Sequence, residues 1–211
     1  MMTAGLRKVA LTTHITSSVG WLGSVAAFLA LAIAGLSSED PQMVRAAYLA
    51  MHLTTWFVIV PFCLASFITG LVESLGTPWG VFRHYWVVTK LVLTVLATAI
   101  LLLHTQPIDR VADVAAQVVL APGDLRPLRL QLIGDASAAL FVLLVTTTLS
   151  VYKPWGMTPY GVRQQIEETA GRRPIVNRRP RRSGQYVLIG IAAFVLLILL
   201  LHLLGVGIHA R

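Results

Sequence analysis

Long apolar runs separated by short polar stretches dominate the pattern of this chain. A helix needs about 20 mostly apolar residues to cross a bilayer, and five runs are long enough. They predict transmembrane helices at about 9–35, 46–72, 85–104, 132–152 and 186–208. We therefore expect an all-α, polytopic membrane helix bundle. Its four-helix core lies within residues 1–165, and a fifth helix follows in residues 186–211, with a short outer tail.

Two of the connecting segments have helical patterns of their own. Between the third and fourth spans, apolar side chains recur at helical spacing, which favours a short helix on the outer membrane surface. These residues are Ile108, Val111, Ala115 and Val118. After the fourth span, Thr158 and Pro159 predict a helix start, because threonine is a favoured N-cap and proline a favoured first helical residue.

The composition agrees with a membrane location. The chain of 211 residues is 56% hydrophobic and only 12% charged, whereas a soluble domain is roughly a quarter charged. Its mean hydropathy is +0.74. There is one cysteine, Cys63, within an apolar run. A disulfide within the chain and a site built from several cysteines are therefore both excluded.

The positive charges indicate the orientation of the chain. Eight of the 17 Lys and Arg residues lie between Lys153 and Arg182, and such blocks beside membrane spans mark the cytoplasmic side. We therefore predict a cytoplasmic N-terminus, an outer C-terminus and a basic cytoplasmic loop at 153–185. Residues 172–182 are expected to contact anionic lipid headgroups rather than nucleic acid, although a plain topogenic role explains them equally well.

Six ionisable side chains interrupt the apolar runs. A charged group within the membrane costs roughly 2.5–3.5 kcal/mol on insertion scales, so each one indicates a functional or packing role. Depth along each span, at about 1.5 Å per residue, separates an inner pair from an outer layer. The inner pair is His14 and Lys90; the outer layer is His52, His104, Asp135 and His202.

The outer layer predicts a bound cofactor. Neutral imidazole is the commonest metal ligand, and two histidines on facing helices hold a b-type haem. His52 and His104 lie at similar depth on consecutive antiparallel spans, and we expect them to ligate haem b or a transition metal. Asp135 is placed to orient one imidazole by accepting its hydrogen bond. The alternative is a hydrogen-bond network that only fixes helix packing, and His202 is expected to be a peripheral packing residue.

The inner pair predicts a second polar site. His14 shares a helical face with Ser18 and Trp21, because seven residues make about two turns. With Lys90 it would bind an anionic group such as a propionate, or form a proton relay. The alternative is that Lys90 reaches water along its own apolar stem. No Ser-His-Asp order, Gly-rich phosphate loop, Cys pair or His-Glu-x-x-His pattern is present, so the sequence assigns no enzymatic activity.

Five segments carry a resemblance to known proteins. They are HITSSVGWLGS at 14–24, HYWVVTKLVLT at 84–94, HTQPID at 104–109, QLIGDA at 131–136 and LSVYKPWGMTPYG at 149–161. Together they resemble an uncharacterised family of bacterial integral membrane proteins, a domain of unknown function, over about residues 6–165. The resemblance implies a location in the bacterial inner membrane.

The His-x6-Trp-x-Gly start is more distantly similar to two other groups. These are the copper-resistance D-type membrane domains and the J-type protoporphyrinogen oxidase, which is a haem-associated membrane protein. A first-helix histidine and a third-helix lysine recur in those relatives. The matching positions of this sequence are His14, Trp21, Gly23 and Lys90.

These observations favour a bacterial inner-membrane protein that binds haem b or a metal through His52 and His104. The further cofactor contacts would come from Asp135, His14, Trp21 and Lys90. One alternative is a permease-type accessory protein in which the same groups form a proton or ion relay. Another is a structural membrane subunit without a cofactor. The expected partners are membrane lipids, a second copy of the chain or another subunit of a membrane complex.

Overall fold

The computed structural model describes residues 2–76, 80–103, 105–121, 123–154 and 156–169. The predicted fifth span at 186–208 and the basic segment at 172–182 lie outside these residues, as do His104 and His202. The described helices are α1 (Ala4–Ser37), α2 (Pro41–Thr54), α3 (Val60–Gly76), α4 (Tyr85–Leu103), α5 (Thr105–Gln117), α6 (Arg126–Tyr152) and α7 (Pro159–Thr169).

Four helical segments are long and apolar enough to cross a membrane. They are α1, the Pro41–Gly76 segment with α2 and α3, the Tyr85–Gln117 segment with α4 and α5, and α6. They contain the first four predicted spans, which are therefore confirmed as long apolar helices. The first two begin earlier than predicted because polar caps precede the apolar runs. Thr3 accepts the backbone N–H of Leu6, and Asp40 accepts that of Gln42.

The core lies around α1, which packs against α2, α3 and α6. Its buried side chains come from α1, α2, α3, α5 and α6, from the segment that joins α2 to α3, and from Leu120 after α5. Among them are Trp21, Val25 and Phe28 of α1, Val44, Tyr48 and Met51 of α2, Val111 of α5, and Leu132 and Ala136 of α6. A smaller cluster around Leu93 and Leu149 joins α4 to α6.

The second span contains a widened turn. Residues Thr55–Ile59 form a π-helical segment between α2 and α3, in which the N–H of Val60 donates to the carbonyl of Thr55. Pro61 follows one residue later. A proline has no N–H and its ring collides with the carbonyl four residues earlier, so the widened ladder relieves that collision. Such π-segments occur frequently at functional sites.

The bundle has two ends, which we name after their short helices. The α7 end contains the start of α1, the end of α3, the start of α4, the end of α6, and α7. The α5 end contains the opposite termini and α5. At the α7 end, Thr158 accepts the N–H of Gly161 and donates to the carbonyl of Phe82. The predicted N-cap is thus confirmed, and it attaches α7 to the segment before α4.

The predicted short helix between the third and fourth spans is also present as α5. Its apolar side, however, packs against the protein. Ile108, Val111 and Ala115 are buried in the same cluster as Val44 and Tyr48 of α2. This apolar side is therefore covered by α2, and the predicted location of the helix at the outer membrane surface stays a prediction.

Candidate functional site

Ionisable side chains from three candidate spans meet near the α7 end. His14 lies on α1, Glu73 on α3 and Lys90 on α4. Lys90 interacts electrostatically with both His14 and Glu73. The structure therefore brings together the two residues of the predicted inner pair and adds a carboxylate to them. We call His14, Glu73 and Lys90 the inner cluster.

One face of α3 is shaped to receive the His14 imidazole. Ser66, Thr69, Gly70 and Glu73 are spaced by three, four and seven residues, so they share one side of the helix. Nδ1 of His14 lies 3.1 Å from the Ser66 carbonyl oxygen and 3.1 Å from Oγ1 of Thr69. A Cβ atom on Gly70 would lie 3.1 Å from Cε1 of His14. Because Gly70 has no side chain, the His14 ring can pack directly against α3.

The hydrogen bonds determine which nitrogen of His14 carries the proton. Thr69 already donates its hydroxyl hydrogen to the Ala65 carbonyl at 2.6 Å, so its oxygen can only accept from His14. The Ser66 carbonyl is also an acceptor. Nδ1 is therefore the donor, and in the neutral imidazole Nε2 is the nitrogen that can accept a proton.

Hydroxyl groups continue from the inner cluster along the interface between α1 and α3. Oγ of Ser18 lies 2.7 Å from Oγ of Ser66, about one turn deeper into the bundle. Further along α3, Sγ of Cys63 lies 3.2 Å from Oγ1 of Thr98 on α4. Trp21 follows Ser18 on α1 and is 3% exposed. The predicted shared face of His14, Ser18 and Trp21 thus points into the bundle.

Sequence patterns did not identify Glu73. It falls just after the predicted end of the second span, where an acidic residue ordinarily faces water. The available signal was the spacing of Ser66, Thr69, Gly70 and Glu73, which places polar and small residues on one face of an otherwise apolar helix.

A cavity of about 130 Å³ lies at the centre of the bundle. It is lined by α1, the π-helical segment, α4, α5 and α6, and most of its lining is apolar. Its polar side chains within the described residues are Trp21, Thr55 and Asp135. The sequence grouped Trp21 with the inner pair and Asp135 with the outer layer. In the structure, both residues line this one cavity.

At the α5 end, His52 has a different carboxylate partner from the one predicted. Its Nε2 lies 3.3 Å from Oδ1 of Asp109 on α5, and both side chains are half-exposed. Trp56 donates its indole N–H to the same oxygen at 2.9 Å. The carboxylate beside His52 is therefore Asp109, because α5 packs against α2, while Asp135 lines the central cavity.

His104, one of the two predicted ligands, lies outside the described residues, so its pairing with His52 stays a prediction. Within the described residues, no group of three or more His, Cys, Asp or Glu side chains is arranged to hold a metal ion.

A buried arginine links several parts of the chain at the α5 end. Arg129 is 2% exposed, and its guanidinium donates to oxygen atoms from three parts of the chain. Nε donates to the Tyr48 hydroxyl at 2.7 Å, and one Nη donates to the Gly35 carbonyl at 2.6 Å. The other Nη donates to the carbonyls of Ala121 and Asp124 at 3.3 and 3.4 Å. Nothing in the sequence marks Arg129, because an arginine at the start of a span ordinarily faces water.

Comparisons of this chain with protein-family models, with curated proteins and with solved structures find no match.

Proposed function

We propose that the chain is a multi-pass protein of the bacterial inner membrane that relays protons through His14, Glu73 and Lys90. The observation behind this proposal is the meeting of three ionisable side chains from three candidate spans. An isolated charge within the membrane is costly, so intramembrane groups of this kind commonly line proton or ion pathways.

The inner cluster contains the groups that a relay needs. Glu73 and Lys90 offset each other's charge, which lowers the cost of holding either one within the membrane. His14 exchanges protons readily because the imidazole is the side chain that ordinarily titrates nearest to neutral pH. Lys90 interacts electrostatically with His14 and with Glu73, so the charge states of the two pairs are coupled through Lys90.

The hydroxyl groups beyond His14 extend the proposed path. Nδ1 of His14 contacts the Thr69 hydroxyl and the Ser66 backbone carbonyl, and the Ser66 hydroxyl pairs with that of Ser18 on the way toward Trp21. A hydroxyl both donates and accepts hydrogen bonds, so the Ser66–Ser18 pair would extend the proposed path from His14 toward the centre of the bundle.

The orientation follows from the positive-inside rule. We propose that the α7 end faces the cytoplasm and that the N-terminus lies there too. Residues 172–182 would contact anionic lipid headgroups, and residues 186–208 would form a fifth span that ends outside. A second copy or another membrane subunit is the proposed protein partner.

Proton flux into liposomes tests the relay. The full chain is reconstituted with a pH-sensitive dye inside, and a potassium diffusion potential drives proton entry. Wild-type vesicles are expected to acidify faster than protein-free vesicles. Glu73→Gln and His14→Gln should each slow this flux roughly tenfold or more, because a positioned proton-transfer group is lost.

The matched control is Glu167→Gln, which removes an exposed carboxylate at the same end and should leave the flux unchanged. Size-exclusion chromatography checks that each variant remains folded. Proton entry no faster than in protein-free vesicles, or wild-type flux in Glu73→Gln, would refute the relay.

We propose metal binding at the α5 end as a second candidate function, on the observation that Asp109 pairs with His52. Imidazole and carboxylate together suit iron or zinc, and His104 is the predicted third donor. The described lining of the central cavity contains no imidazole, so haem b ligation through His52 and His104 stays a prediction.

Elemental analysis of the purified protein tests this second candidate. About one transition-metal ion per chain is expected, with no haem absorbance, and His52→Gln and Asp109→Asn should each lose the metal. His84→Gln, which changes a histidine at the other end, should retain it. Protein that contains no stoichiometric metal, or that keeps it in both ligand variants, would rule out this site.

A further inference from the structure

Among the described residues, the lining of the central cavity combines an apolar wall with a single acidic side chain. Asp135 of α6 supplies the carboxylate, Trp21 of α1 an indole and Thr55 of the π-helical segment a hydroxyl. The remaining lining side chains in the described residues are aliphatic or aromatic hydrocarbons, such as Phe28, Leu93 and others from α1, α4 and α6. We propose that this cavity binds a compact organic monocation, an alkylammonium ion.

The size of the cavity limits the ligand. An engineered protein cavity of roughly 150 Å³ holds one benzene molecule, and the cavity here measures about 130 Å³. A ligand of up to about six non-hydrogen atoms is therefore the largest that enters without displacing a helix.

The polar groups determine the charge of the ligand. Asp135 attracts a cation within apolar surroundings, where electrostatic interactions are less screened than in water. Trp21 offers an aromatic ring, the type of side chain that attracts ammonium ions most strongly. Thr55 already donates its hydroxyl hydrogen to the Met51 carbonyl at 2.8 Å, so its oxygen remains an acceptor and suits an ammonium N–H.

The same groups disfavour other ligands. An anion would be repelled by Asp135. Calcium takes roughly six to eight oxygen ligands, whereas the side chains lining the described cavity offer one carboxylate and one hydroxyl. An alkylammonium ion matches both the carboxylate and the hydrocarbon wall.

The π-helical segment forms part of this wall. Thr55 and Ile59 both line the cavity, and Pro61 interrupts the backbone ladder just beyond them. The cavity shares no residue with the inner cluster, so this site stands whether or not that cluster relays protons.

Calorimetry with a pair of matched probes tests the site. Isobutylammonium and isobutanol have nearly the same shape but differ in charge, and both are titrated into the full chain in a non-ionic detergent. Wild-type protein is expected to bind the amine saturably and about tenfold more tightly than the alcohol. Asp135→Asn should abolish that preference.

The control is Asp113→Asn, which removes one exposed negative charge at the α5 end and should keep the preference for the amine. Ala139→Leu places a larger side chain in the cavity wall and should block both probes, so it tests the location if Asp135→Asn does not fold. Equal affinity for both probes, no saturable binding, or amine binding unchanged by Asp135→Asn would overturn the proposal.

Discussion

Replacing Arg129 with methionine is expected to lower the free energy of unfolding by roughly 4 kcal/mol. Methionine fills similar space but donates no hydrogen bond. The substitution would leave the Gly35 carbonyl, the Tyr48 hydroxyl and the nearby loop carbonyls without their donor. Each buried polar group that loses its partner costs roughly 1–3 kcal/mol, and the guanidinium serves several of them at once.

The effect should be concentrated at the α5 end, where Arg129 joins three parts of the chain. Gly35 lies in the last turns of α1, where helix carbonyls have no partner within the helix. Tyr48 lies on α2, and its ring is also 5.3 Å from the guanidinium carbon. Loss of Arg129 would therefore loosen α1, α2 and α6 from one another rather than unfold one helix.

Thermal unfolding in detergent, followed by circular dichroism, measures this effect. Arg126→Met is the matched control, because Arg126 is exposed three residues earlier on the same helix and should change stability by less than about 0.5 kcal/mol. Tyr48→Phe removes one acceptor and should cost about 1 kcal/mol. If Arg129→Met melts at the wild-type temperature, the guanidinium does not hold this end together.

Replacing Gly161 with alanine is expected to detach α7 from the bundle. A Cβ atom at Gly161 would overlap the carbonyl oxygen of Arg83 and lie 3.0 Å from its carbonyl carbon. Because the obstacle is backbone, a rotamer change cannot relieve it. We expect a cost of roughly 1–3 kcal/mol, as for other overpacked sites.

The contacts between α7 and the segment before α4 identify where the effect of Gly161→Ala would be measured. Thr158 donates its backbone N–H to the Arg83 carbonyl at 2.9 Å, and Arg83 pairs with Glu168 at 2.8 Å. Faster amide hydrogen exchange is therefore expected across α7 and the segment before α4. Gly156→Ala is the control, since a Cβ there meets nothing within 4 Å. Wild-type exchange in Gly161→Ala would show that α7 docks in some other way.

Much of the fold could be predicted because membrane insertion acts on each segment separately. The bilayer requires length and apolar composition from a single helix, so the first four spans were recognisable one at a time. The α7 start at Thr158 was predictable for a similar reason, since a helix cap involves only neighbouring residues. The depth of a residue is likewise obtained by counting along its own helix, and this count placed His14 and Lys90 on the same side of the membrane midplane.

The candidate sites were less predictable because they depend on how the helices are rotated and ordered around one another. In lipid both faces of a helix can be apolar, so hydropathy does not distinguish the protein-facing side. The pairing of His52 with Asp109 required α5 to fold against α2. The meeting of Trp21 and Asp135 required α1 and α6 to turn toward the same cavity.

The sequence by itself determined that this chain contains several helices long and apolar enough to cross a membrane, with ionisable residues within their apolar runs. Only the tertiary structure decided which groups meet: Glu73 joins His14 and Lys90, Asp135 faces the central cavity, and Arg129 is buried instead of facing water. The physical reason is that insertion is a property of one helix, whereas a polar site is formed by side chains from several helices. Their contacts depend on packing geometry, which the hydropathy of each helix does not specify.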